Sequence, residues 1–191
     1  MNISRVLLIC HVSSEIGIGH LSRLLALADT LRADNNVILE FLLFGDVIKQ
    51  DQLNDFNFHA FSLSDDFVTT IEDIIKMHDF DALIFDIYPK QKIDNLYEFF
   101  IQLKKSNICL ISIGSLVEHC NILDLIWIPS FNFDCTKYNY CTCVFKSGWD
   151  SFLIKKRLQH NDWTPGSKVL ILTGGSDVSN LGKTLPVQLD G

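Results

Sequence analysis

Two hydrophobic rhythms alternate along the chain. Short unbroken apolar runs, typical of strands buried on both faces, are followed by stretches whose apolar positions return every three to four residues, as on a helix packed along one side. Residues 5–10 form the first such run. After a polar loop, 20–32 places Leu21, Leu24, Leu25 and Ala28 at helical spacing, with Leu31 one turn further on. Asp34, Asn35 and Asn36 break that helix, and 37–44 predicts a second strand. Gly45 and Asp46 turn the chain, a short helix is expected to run through Leu53, and 59–63 predicts a third strand. Ser64 reads as the N-cap of a helix over 65–77, whose early acids suit the positive end of the helix dipole.

The alternation continues. Residues 82–86 are apolar and end in an aspartate, a helix is expected around 93–105, and strands are expected at 108–113 and near 125–128. Repeated strand–helix order predicts an α/β fold of Rossmann-like type, a parallel sheet with helices on both faces. The end of the chain differs. Residues 149–158 predict a helix, 161–167 hold the Pro and Gly of a connector, and 168–173 form another buried-strand run leading into Gly174 and Gly175. The expected division is therefore a domain over 1–160, then a linker and the opening strand and loop of a second domain over 161–191. One such unit cannot form a sheet core alone: either a second domain continues beyond Gly191, the favoured expectation, or this last strand joins the sheet of the first domain.

Composition narrows the classes. At 191 residues and 48% hydrophobic, the chain should bury about 70% of its unfolded surface, enough for a core without disulfides or metal. A net charge of −7 argues against a sequence-independent grip on nucleic acid, which needs clustered Lys and Arg. Lys146, Lys155, Lys156 and Arg157 are expected to form a solvated helix face. The apolar stretch at 6–10 is too short for a signal core, and no run is long enough to span a bilayer. A cytoplasmic protein without integral membrane contact is expected, its six cysteines mostly reduced. Cys135, Cys141 and Cys143, with Cys120 and His119 upstream, lack the paired C-x-x-C spacing of structural zinc. They read as small apolar side chains in and near a strand, and no metal is expected.

In open parallel sheets, ligands bind beyond the carboxyl ends of the strands, so the loops there are the places to search. The first runs through Ser13, Ile16, Gly17, Ile18, Gly19, His20 and Arg23. Gly17 and Gly19 permit a tight turn and close backbone approach to a ligand. Ser22 stands where the dinucleotide fingerprint needs its third glycine, so that fingerprint is absent. A histidine at a helix start meets the positive end of the dipole, which disfavours imidazolium and leaves a ring able to accept a proton. Backbone N–H groups in the same turn can hold an anionic oxygen. The competing role is structural: a turn, with His20 capping or packing. The second loop starts at Asp86, two residues before Tyr88, where the carboxylate binds a sugar hydroxyl, orients His20 or merely caps the loop. The third, Gly174, Gly175, Ser176, Asp177 and Asn180, is a diphosphate cradle or an ordinary capped turn.

Together these segments resemble the UDP-sugar hydrolases of pseudaminic acid biosynthesis and related polysaccharide-biosynthesis proteins with the GT-B fold. The family pattern Ser-x-x-Ile-Gly-x-Gly-His-x-x-Arg is matched by Ser13, Ile16, Gly17, Gly19, His20 and Arg23. Its Asp-x-Tyr is matched by Asp86 and Tyr88, and its Gly-Gly-Ser/Thr-Asp-x-x-Asn by Gly174 to Asn180. A middle Gly-x-x-Tyr segment is echoed loosely by residues 148–156, with Phe152 as the aromatic residue in place of tyrosine. The resemblance implies the N-terminal half of a GT-B architecture that removes UDP from a diacetamido-trideoxy sugar by attack of water, without metal or cofactor. His20 then matches the catalytic histidine, acting as general base. Ser13, Gly17, Ile18, Gly19, Arg23, Asp86 and Tyr88 would hold the substrate. Gly174, Gly175, Ser176, Asp177 and Asn180 would face the diphosphate, and the second domain would complete the site. On this reading the 191-residue chain alone binds UDP-sugars weakly and is inactive. The same loop occurs in GT-B transferases, where this half would bind an acceptor. A non-catalytic nucleotide-sugar-binding module is the third reading.

Overall fold

In the computed structural model, the structure is described for residues 3–33, 36–46 and 51–154. Those residues fold into strands β1 (Ser4–Val12), β2 (Val37–Gly45), β3 (Asn57–Phe61), β4 (Ala82–Asp86), β5 (Cys109–Ile113), β6 (Leu125–Trp127) and β7 (Val144–Lys146). Helices α1 (Gly19–Leu31), α2 (Phe67–Met77) and α3 (Leu96–Lys105) connect them. The strands pair in the order β3-β2-β1-β4-β5-β6-β7, and every pairing is parallel. The expected α/β, Rossmann-like parallel sheet is therefore present.

Handedness accounts for the layers. From β1 the chain winds one way to β2 and β3, then crosses back through α2 to β4 and continues outward through α3. Right-handed crossovers in opposite directions put their helices on opposite faces. Accordingly, α1 packs with Val6, Leu8, Cys10 and Val12 of β1, while α2 and α3 pack with Leu7 and Ile9. Strand side chains alternate between faces, so a strand covered on both sides is mostly apolar, and its few buried polar residues, His11, Glu40, Asp86 and Ser112, need partners. The winding reverses between β1 and β4. That reversal opens a crevice at their carboxyl ends.

Several boundaries moved, each for a local reason. The third strand is Asn57–Phe61, two residues earlier than expected, because the Ser62 N–H leaves the ladder and donates to the Asp65 carboxylate at 2.7 Å. Asp66, not Ser64, caps α2 by accepting from the Thr69 N–H at 2.7 Å. The Ser64 hydroxyl instead pairs with that of Ser62. Helix α3 begins at Leu96 because Asn95 has a left-handed backbone, φ 58°. Of the helix expected over 149–158, the described part is a single 3-10 turn, Trp149–Ser151, and residues 155–158, with Lys155, Lys156 and Arg157, lie outside the described residues. There the Trp127 indole N–H donates to the Ser151 carbonyl at 2.7 Å, a tertiary bond in place of a helical one. Lys146 lies on β7, a strand the pattern missed, and not on a helix face.

Four of the cysteines, Cys10, Cys109, Cys135 and Cys143, are free thiols. Cys120 and Cys141 are joined in a disulfide, which ties the segment before β6 to the segment before β7. This departs from the reading of both as isolated apolar side chains. Among the described residues no three His, Cys, Asp or Glu side chains gather around a common point. No helix among them is long and apolar enough to cross a membrane.

The α1 face depends on a few fully buried leucines, Leu24 among them. Leu24→Ala should lower unfolding stability by about 2–5 kcal/mol, read from urea denaturation at unchanged slope.

Candidate functional site

Helix α1 brings His20 and Arg23 to the crevice because they stand three residues apart, on one face of its first turn. Strand β4 brings Asp86, which is paired in register with Cys10 and shares the α1 face with Ile84. The three side chains meet. The His20 Nδ1 lies 2.6 Å from one Asp86 carboxylate oxygen. Arg23 donates to both oxygens, from Nε at 2.7 Å and from a terminal nitrogen at 2.6 Å. Asp86 is fully buried, while His20 and Arg23 keep 14% and 32% side-chain exposure.

The arrangement fixes protons. A buried carboxylate needs its charge balanced, and the planar Arg23 fork does so bidentately. Burial opposes the Arg23 charge, yet hydrogen bonding and attraction to Asp86 outweigh it and raise its pKa. Facing an ionised oxygen that can only accept, the neutral His20 ring must carry its proton on Nδ1. Nε2 is left with a lone pair. The terminal Arg23 nitrogen that donates to Asp86 also lies 3.0 Å from Nδ1, a contact that would be a hydrogen bond only in the other tautomer; the shorter 2.6 Å contact of Nδ1 with the carboxylate favours the Nδ1 proton. Cys10, beside this group, has its pKa pushed up by burial and by the Asp86 charge, so it remains a neutral thiol.

The loop between β1 and α1 is shaped from within. The Ser13 hydroxyl accepts from the Glu15 and Ile16 N–H groups at 3.2 and 3.1 Å, and its carbonyl accepts from Gly17 at 2.8 Å. Ser13 is buried, so it shapes the loop from beneath. Gly17 has φ 87°, a left-handed conformation that favours glycine. Ile18 is the N-cap and packs its side chain against the core, leaving the first turn without a side-chain cap. A Cβ at Gly19 would meet nothing within 4 Å. The fold makes no demand for glycine there, and the open space lies above uncapped helical amides. Tyr88 is half-buried, with its ring 6.4 Å from that of His20. Gly174, Gly175, Ser176, Asp177 and Asn180 lie outside the described residues, as does the expected boundary at 160.

The sequence reading missed His11. It sits inside the apolar run of β1 but on the opposite face from Cys10, against the rings of Phe44 and Phe67. Its Nδ1 accepts from the Tyr88 N–H at 3.1 Å, which holds the start of the loop after β4. A histidine within an otherwise apolar strand was the available signal. Comparison with protein-family models and with curated proteins finds no match to this chain.

Burial, followed by the nearby His20, lowers the His11 pKa from 6.5 to about 4. Above pH 6.5 both folded and unfolded chains carry this ring neutral, and its contribution is fully present. As pH falls from 6.5 towards 4, only the unfolded chain takes the proton, and stability drops by about 3 kcal/mol before levelling off. Chemical denaturation at stepped pH should show this loss in the natural chain. His11→Asn should lack that portion of the slope.

Proposed function

We propose that the chain provides the base-bearing half of a nucleotide-sugar site and that its reaction is hydrolysis of a UDP-sugar to UDP and free sugar. The supporting observation is the His20–Asp86–Arg23 group at the β1/β4 reversal. Asp86 sets the tautomer, Arg23 sets the charge of Asp86, and Nε2 of His20 is left to accept a proton from water as it attacks the anomeric carbon. Open space at Gly19 lets a ligand approach the α1 N-terminus, where backbone dipoles favour an oxyanion. Resemblance to the UDP-sugar hydrolases supplies the substrate class, and in that reading the loop from Gly174 faces the diphosphate.

The same base serves a transferase when an acceptor hydroxyl replaces water, so products decide between them. With the proposed second domain in place, UDP-sugar turnover should release UDP and free sugar in equal amounts without added acceptor. His20→Ala should lower kcat by about 10²- to 10⁴-fold, the usual contribution of a general base. Turnover that requires an acceptor would replace hydrolysis with transfer, and unchanged kcat in His20→Ala would remove the base assignment.

A further inference from the structure

A cavity of about 550 Å³ lies beside the triad, between the loops that follow β4 and β5. Its size falls within the ~300–1,000 Å³ span of small-molecule sites. Two of its walls are shared with the triad. Tyr88 lines the cavity, and its ring meets that of His20 in a T-shaped arrangement at 6.4 Å. Gly114 also lines it, and a Cβ there would stand 3.8 Å from the Arg23 guanidinium. A ligand in the cavity is thus one side chain away from the base.

The lining specifies the ligand's chemistry. Its floor is apolar, with Leu96 and Leu116 buried, whereas Gln91 and His119 supply neutral polar groups. Lys92 is the one cation among its lining residues, against the carboxylates of Asp94 and Glu118. Excess negative charge repels phosphate and tolerates a neutral ring. His119 packs between two rings, stacked on Tyr97 at 6.0 Å and T-shaped with Phe100 at 5.4 Å. Burial lowers its pKa, so the ring is neutral at pH 7 and can both donate and accept. Leu116 adopts φ 60°, which a leucine keeps only where its surroundings hold it.

We propose that this cavity seats the neutral sugar ring of the substrate, with Gln91 and His119 reading its hydroxyl or acylamino groups and the diphosphate held outside. The assignment rests on the nucleotide-sugar reading but concerns where the sugar lies, not whether its bond is cut. Its test is an amide NMR titration of the 191-residue chain with N-acetylglucosamine, and separately with inorganic pyrophosphate. The sugar should shift the amides of Gln91 and residues 114–119, and pyrophosphate should leave them unmoved. Gln91→Ala at the rim should weaken the sugar about tenfold, as should His119→Ala, with the remaining spectrum unchanged. The titration reads sugar binding alone, with no UDP and no bond broken, so its outcome is separate from the fate of the hydrolysis assay. No shift at these amides, equal shifts with pyrophosphate, or natural affinity in Gln91→Ala would overturn the proposal.

Discussion

A carboxylate with no access to water governs this site. Asp86 ends a strand buried on both faces, and an isolated charge there would be costly enough to protonate or unfold the chain. Arg23 makes the charge tolerable, and that pairing fixes both partners in place. His20 is then oriented by an oxygen whose own position is determined by two hydrogen bonds from Arg23. Such a group is weak evidence for stability, because desolvation offsets most of the attraction. Its consequence is geometric: one tautomer of His20, with one nitrogen free.

The fold makes the meeting possible. Asp86 faces α1 because β4 pairs in register with β1, aligning Asp86 with Cys10, whose side chain faces the same helix. A shift of one residue would turn the carboxylate into the opposite layer. His11 already points to that opposite layer and holds the backbone of Tyr88. The two histidines therefore work from opposite sides of the sheet, one presenting a nitrogen to the crevice and the other securing the loop beside it. Reversal of the winding between β1 and β4 leaves the space that all these groups line.

Much of this was legible in the residues. Largely apolar runs located β1, β2, β4 and β5, because strands covered on both faces admit few polar positions, such as Glu40 in β2. The histidine at the start of α1 and the aspartate at the end of β4 were each visible, and orientation of His20 was among the roles open to Asp86. Arg23 stood out as a motif residue, but nothing in its spacing disclosed a bidentate hold on a residue 63 positions away. Tertiary bonds were the general blind spot. Trp127 claims the Ser151 carbonyl and stops a helix that the pattern favoured, while β7 is too short and too exposed to show periodicity. His11 was overlooked because a polar residue in an apolar run weakens a strand signal without announcing a role.

Asp86 forces the His20 proton onto Nδ1 and leaves Nε2 as the accepting atom. Nitrogen-15 NMR of the histidine ring, taken at a pH where it is neutral, reads this directly. His20 should show a protonated Nδ1 and an unprotonated Nε2, with that pattern lost when Asp86 is replaced by alanine in a chain that still folds. A neutral ring protonated on Nε2 in the natural chain would contradict it.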